Sequence, residues 1–184
     1  MMRKKLQIGV IGSAGTEEYN FDKPNIKMFT AAEEIGRELA KNSAIVINGG
    51  KGGVMEAVGR GAKSAGGIVA AEIAGLGRGE SNDFVDIEVI TGDSAFRGPS
   101  QLVGMSDGII SIGGGAGTLQ ELCVAYRMSK PVVLVTGFGG WTDRVAELDF
   151  LDERRTAKFF IAKSPRTAVK LLLNMLKCKE GEKS

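Results

Sequence analysis

Three glycine clusters carry the clearest chemical potential in this chain. They are Gly12-Ser13-Ala14-Gly15-Thr16, Asn48-Gly49-Gly50-Lys51-Gly52-Gly53 and Gly113-Gly114-Gly115-Ala116-Gly117-Thr118. Each follows an apolar run, and the second and third lead into segments of helical period. Glycine lets the backbone approach a ligand closely and take positive φ. A helix that opens directly afterwards offers unpaired N–H groups and a partial positive charge, which suits a phosphate. Gly12, Ser13, Gly49, Gly50, Gly52, Gly53, Gly114, Gly115, Gly117 and Thr118 are therefore candidate ligand- and phosphate-binding residues, with Thr118 adding a hydroxyl. One such turn would be an ordinary tight strand-to-helix connection. Three at the same sheet edge point to a ligand. Neither helix-opening loop ends in Gly-Lys-Ser/Thr, so neither is a Walker loop. Neither fits G-x-G-x-x-G with an acidic residue closing the next strand, which argues against a nicotinamide dehydrogenase.

Composition narrows the chemistry further. The 184 residues include 27 glycines, about twice the usual 7%. No histidine is present, which excludes a Ser-His-Asp triad, a Cys-His pair and any imidazole metal site or proton shuttle. No metal site is expected and no cofactor is called for. Cys123 and Cys178 form neither a disulfide framework nor a zinc set, so a reducing, cytoplasmic setting is expected. Cys123, among apolar neighbours in a helix, reads as a buried small residue. A net charge of +2 demands neither a nucleic-acid polymer nor a membrane surface as partner. No run approaches about 18 apolar residues, and the basic start followed by LQIGVIGSAG reads as a first strand rather than a leader.

The elements that must position these loops alternate. Strands are expected at Leu6–Ile11, Ala44–Ile47, Ile68–Ile73, Asp86–Ile90, Gly108–Ile112, Pro131–Thr136 and Lys158–Ile161. Helical period runs through Asn25–Lys41, Val54–Ser64, Thr118–Met128 and Ser164–Leu176, the last with Ser164 as N-cap and Pro165 at its first position. Strand–helix alternation, with strands such as GIISI and PVVLV apolar throughout, implies a Rossmann-like, doubly wound α/β fold. The expected sheet has about seven mainly parallel strands with helices on both faces. Residues 1–177 read as one domain and 178–184 as a polar tail. Trp141, following a strand at the ligand edge, could stack on a base or pterin or simply pack in the core. Lys51 could reach a phosphate or only solvent. Glu121, on spacing alone, reads as a carboxylate stabilising a helix dipole.

Gly113–Glu121 (GGGAGTLQE) resembles the PGGxGTxxE motif of the Lonely Guy family, often labelled lysine decarboxylase, and Ile47–Val58 (INGGKGGVMEAV) resembles its GGGxxGLMG segment. With IGSAG near the start, the resemblance spans most of the chain. The nearest subgroup is one of short Rossmann-like proteins carrying GGGxGT, a KPVVxL strand (Lys130–Val135) and a GGWxDR loop (Gly139–Arg144). An algal molybdenum cofactor carrier protein is similar to that subgroup. Lonely Guy enzymes hydrolyse the N-glycosidic bond of nucleoside 5′-monophosphates. The resemblance thus implies Glu121 and Arg97 as a catalytic pair, the carboxylate serving an oxocarbenium-like transition state or activating water. The hydrolase is the first expectation, and the alternative is a non-catalytic carrier of a nucleotide or of the molybdenum cofactor. Either way the partner is a small phosphorylated ligand, a nucleotide or a pterin, and the family leads one to expect a homodimer or higher homo-oligomer. The motif proline is Gly113 here, and the enzymes' Arg-Lys pair is Arg97-Gly98, followed by Pro99. A lysine decarboxylase is not expected, since no pyridoxal-phosphate lysine context is visible.

Overall fold

The computed structural model describes residues 4–15, 26–92, 98–155 and 157–181. Its elements, in chain order, are β1 (Gln7–Gly12), α1 (Ile26–Lys41), β2 (Ile45–Asn48), α2 (Val54–Ser64), β3 (Ile68–Ile73), β4 (Ile87–Ile90), α3 (Gly98–Met105), β5 (Gly108–Ile112), α4 (Ala116–Arg127), β6 (Val132–Val135), α5 (Gly140–Ala146), β7 (Phe159–Ala162) and α6 (Pro165–Gly181). The seven strands form one sheet in the order β4-β3-β2-β1-β5-β6-β7, and every neighbouring pair is parallel. The fold is the expected Rossmann-like α/β architecture, with all seven expected strands in place.

Alternation along each strand builds two cores. Ile8, Val10, Val46, Val69, Ile110 and Val133 face α1, α2 and α6. Ile11, Ile47, Ala70, Ile109, Val132 and Leu134 face α3, α4 and α5. With both faces covered, β5 and β6 are buried along their whole length, which is why their sequences are almost wholly apolar, the one polar residue being Ser111 of β5, itself fully buried.

Two helices, α3 and α5, lie outside the segments of helical period read from the sequence. α3 opens on Gly98-Pro99 and α5 on Gly140, so residues that break helices in other contexts hide their starts. α4 begins at Ala116, two residues before the expected start, and α6 continues through Gly181 into the segment read as tail. The earlier start of α4 moves Glu121 out of the first turn, which contains no acidic residue. Helix-dipole stabilisation therefore does not explain this glutamate, because that effect fades beyond the terminal turn. Cys123 is exposed rather than buried. Desolvation nevertheless pushes its thiol upward from the usual value, the opposite of what a nucleophile requires. No helix among the described residues is long and apolar enough to cross a membrane.

Candidate functional site

β1 lies between β2 and β5, so the chain winds outward from it in both directions. In such a sheet the crevice beyond the carboxyl ends of the two strands at the reversal point is where ligands bind. Here that point lies between β1 and β5, whose last residues pair as Gly12 with Ile112. The first and third glycine clusters extend from these two strands.

The loops are tied to one another. The Gly114 N–H donates to Ser13 Oγ at 3.0 Å, and Thr118 Oγ1 donates to the Gly12 carbonyl at 3.2 Å. The Val54 N–H, the first of α2, donates to the Ser13 carbonyl at 2.9 Å. A side chain at Gly53, where φ is +67°, would collide with the Ser13 carbonyl oxygen. The second loop is further braced by Asn48, fully buried, whose Oδ1 accepts from the Gly50 N–H at 2.8 Å while its Nδ2 donates to the Met55 carbonyl at 3.1 Å. A Cβ at Gly49 would approach Met55 Sδ, one at Gly50 would meet Ala71, and one at Gly52 would lie 3.3 Å from the Ala14 carbonyl. Much of the glycine content thus serves loop-to-loop packing.

A fourth loop, Gly137–Gly140 after β6, joins the rim. Sequence reasoning did not include it among the ligand loops, although its glycine density was a usable signal. The Trp141 N–H donates to the Gly114 carbonyl at 2.9 Å, and a Cβ at Gly140 would lie 2.5 Å from that oxygen. This loop supplies its own anion: the Asp143 carboxylate accepts from the Gly137 N–H at 3.0 and 3.1 Å and from the Gly139 N–H at 2.8 Å.

Like α2 and α5, α4 has a glycine N-cap, Gly115, and no side-chain cap; in α2 and α5, however, first-turn N–H groups reach carbonyls of a neighbouring loop, Val54 to Ser13, Trp141 to Gly114 and Thr142 to Gly113. The initial N–H groups of a helix have no intrahelical partner, and at α4 the nearby polar side chains are engaged elsewhere. Thr118 is buried and donates to Gly12. Ser13 Oγ accepts from Gly114 and donates weakly to Met28 Sδ at 3.9 Å. A Cβ at Gly117 would meet nothing within 4 Å. Open space and uncapped amides coincide at Gly115–Gly117, as an anion site requires. Lys51 is held elsewhere, with its Nζ donating to the Glu80 carbonyl at 3.0 Å. Trp141 is half-buried against the core on the α4 side, with the Arg144 guanidinium 5.0 Å from its ring centre.

Glu121 is half-buried on α4, one turn beyond Thr118. Burial, and after it the Glu72 carboxylate, push its carboxyl up to about 8. Glu72 lies on β3 on the strand face shared with Ala70, toward α3 and α4, and accepts from Thr91 Oγ1 at 2.7 Å. Sequence reasoning missed Glu72 because it is a lone acidic residue in an apolar strand, far from Glu121 along the chain. Arg97 and Thr16 lie outside the described residues.

The Glu121 shift has a measurable consequence. The folded state holds a proton that the unfolded state, with a carboxyl near 4.5, releases. Stability therefore falls as pH rises from about 4.5 to about 8. Glu121→Gln removes that slope. Urea unfolding should show the variant and wild type alike near pH 5, and the variant more stable near pH 8 by about 1–2 kcal/mol, a value reduced for partial solvent contact. An equal difference at both pH values would mean the carboxyl is ionised throughout.

With this geometry in hand, relatives become informative. An Archaeoglobus fulgidus protein of uncharacterised function is 40% identical over 129 residues, covering 70% of this chain and 79% of its own. A structural-genomics target superimposes with a TM-score of 0.83 at 33% identity, over 92% of this chain and 99% of that one. The molybdenum cofactor binding protein of Rippkaea orientalis gives a TM-score of 0.79 at 26% identity, over 95% and 99%. The Moco carrier protein of Chlamydomonas reinhardtii gives 0.75 at 25%, over 96% and 99%. The resemblance seen in the glycine motifs resolves to one family model, which matches residues 5–169: the chain belongs to the SLOG cluster4 family.

Proposed function

We propose that this protein binds a phosphorylated pterin of molybdenum-cofactor type and holds it without cleaving it. The observation that carries this reading is the start of α4 at the β1/β5 crevice, which no side chain caps, beside loops whose Ser13 and Asp143 side chains are already engaged. A phosphate set on the Gly115–Gly117 amides would leave the rest of the ligand extending along the rim. Likeness over nearly the full chain to two proteins named for the molybdenum cofactor supports the choice of pterin over nucleotide. The ligand is cargo in this reading, and no protein group needs to react with it.

The test is a thermal-shift and calorimetric series with a phosphorylated pterin, AMP, GMP and inorganic phosphate. The pterin should bind more tightly than inorganic phosphate by at least about 100-fold, since ring contacts add to the shared anchor. Nucleotide binding without pterin binding would overturn the reading.

A second reading rests on Glu121. A carboxyl that keeps its proton near neutral pH can act as a general acid toward a leaving base, as hydrolysis of a nucleoside 5′-monophosphate requires. On this reading wild type releases free base from AMP over time, and Glu121→Ala stops release while retaining binding. No release from any purine or pyrimidine monophosphate would leave the carrier reading alone.

A further inference from the structure

Ser111 and Thr142 are two fully buried hydroxyls on different elements, the end of β5 and the first turn of α5. Their oxygens lie 2.6 Å apart, and Thr142 Oγ1 is also 2.7 Å from the Gly113 carbonyl. The direction of this chain follows from proton counting. A carbonyl cannot donate and a threonine has one hydroxyl proton, so that proton goes to Gly113 and Ser111 must donate to Thr142. The Thr142 N–H also donates to the Gly113 carbonyl, at 3.1 Å. One residue therefore fills both lone pairs of that oxygen, and the neighbouring Trp141 N–H takes the Gly114 carbonyl at 2.9 Å.

Peptide planarity turns this into a statement about N–H groups. In a trans peptide the N–H points opposite to the carbonyl of the preceding residue. Holding the Gly113 carbonyl toward α5 aims the Gly114 N–H the other way, where it meets Ser13 Oγ at 3.0 Å. Holding the Gly114 carbonyl toward α5 likewise turns the Gly115 N–H away from α5. The φ values of Gly113 (+64°) and Gly114 (+92°) show that the turn has a backbone conformation that glycine reaches easily and could also leave easily. Something must hold it, and the buried hydroxyl pair does so from behind.

We propose that Ser111 and Thr142 are positioning residues that fix the Gly113–Gly115 turn, and so aim the α4 amides at the ligand's phosphate. The last clause rests on the phosphate reading above, while the first stands independently of any ligand. Two variants separate the hydroxyl from side-chain volume: Thr142→Val removes it with little change of shape, and Thr142→Ser keeps it.

The ligand-free measurement is amide hydrogen exchange. Thr142→Val should raise exchange at the Gly114 and Trp141 amides by about tenfold or more, the equivalent of one hydrogen bond, and Thr142→Ser should return it toward wild type. Amides of β2 and α1 act as the internal reference and should move far less. In the second measurement, titration with inorganic phosphate, Thr142→Val should weaken binding by about tenfold, again with recovery in Thr142→Ser. Unchanged exchange at Gly114 and Trp141 in Thr142→Val overturns the proposal whatever the phosphate result. A uniform rise across the sheet, not reversed by serine, also overturns it, since the pair would then be supporting the fold at large. Raised local exchange in a protein whose wild type binds no phosphate supports the positioning of the turn and overturns the phosphate reading instead.

Discussion

Gly61→Ala should destabilise this protein by about 3 kcal/mol or more, a large share of the 5–15 kcal/mol that holds a domain together. The change looks favourable in isolation, because alanine in a helix interior normally gains about 1 kcal/mol over glycine. The contact of α1 with α2 reverses the sign. A Cβ built on Gly61 collides with the Glu33 carbonyl oxygen of α1, and one built on Gly36 of α1 collides with the Val58 carbonyl oxygen of α2. The two helices therefore meet backbone to backbone, each glycine opposite the other helix's main chain. Neither obstacle is the flexible end of a side chain, so relief requires the helices to separate, which opens the buried seam formed by Ala32, Ile35, Val58 and Ala62. Gly104 of α3 provides the control, since a Cβ there meets nothing within 4 Å. Gly104→Ala should leave stability unchanged or raise it by up to about 1 kcal/mol. Urea denaturation of the two variants checks the pair, and a Gly61→Ala protein as stable as wild type would show that α1 and α2 do not pack this closely.

These two glycines also mark where the sequence stops being legible. The strands could be read directly, because burial on both faces leaves an apolar run with no competing pattern, as in GIISI and PVVLV. The long helices could be read from their apolar faces. Gly36 and Gly61 carry no such signal: a glycine inside a helical pattern reads locally as a weakness, and only the opposing helix shows why it is there. The same holds for α3 and α5, whose Gly-Pro and Gly-Gly starts look like loop.

Within the site, the glycine clusters were legible as a sheet-edge feature, while their division of labour was not. Gly53 accommodates the first loop, and Thr118, nominated as a ligand hydroxyl, ties the third loop to the first. The Glu72–Glu121 and Ser111–Thr142 pairs are each joined only by the fold. No spacing rule along the chain brings a β3 residue to α4, or a β5 hydroxyl to α5, before the sheet order is known.

The same division of labour leads to the variant that best tests the phosphate site. Gly117→Asp should lower affinity for inorganic phosphate and for any phosphate-anchored ligand by about 100-fold or more, while leaving the protein equally stable or slightly more so. Gly117 is the second residue of α4 and faces open space, so the new side chain meets no obstacle. An acidic residue in the first turn interacts well with the helix dipole, by about 0.3–1 kcal/mol, and loss of glycine's backbone freedom in the unfolded chain adds a similar amount. The carboxylate would then occupy the space that the proposed function gives to a phosphate and take the amides that such a phosphate would use, just as Asp143 takes the Gly139 N–H in the loop before α5. Two like charges a few ångströms apart in a partly desolvated crevice repel by several kcal/mol, enough for a loss of that size. Opposite signs for stability and binding are the informative feature, because a variant that merely damages the fold lowers both. Gly117→Asn, similar in size but neutral, should lose much less affinity, and raising the salt concentration should narrow the gap between the two variants. If Gly117→Asp binds phosphate as wild type does, the anion does not sit at the start of α4.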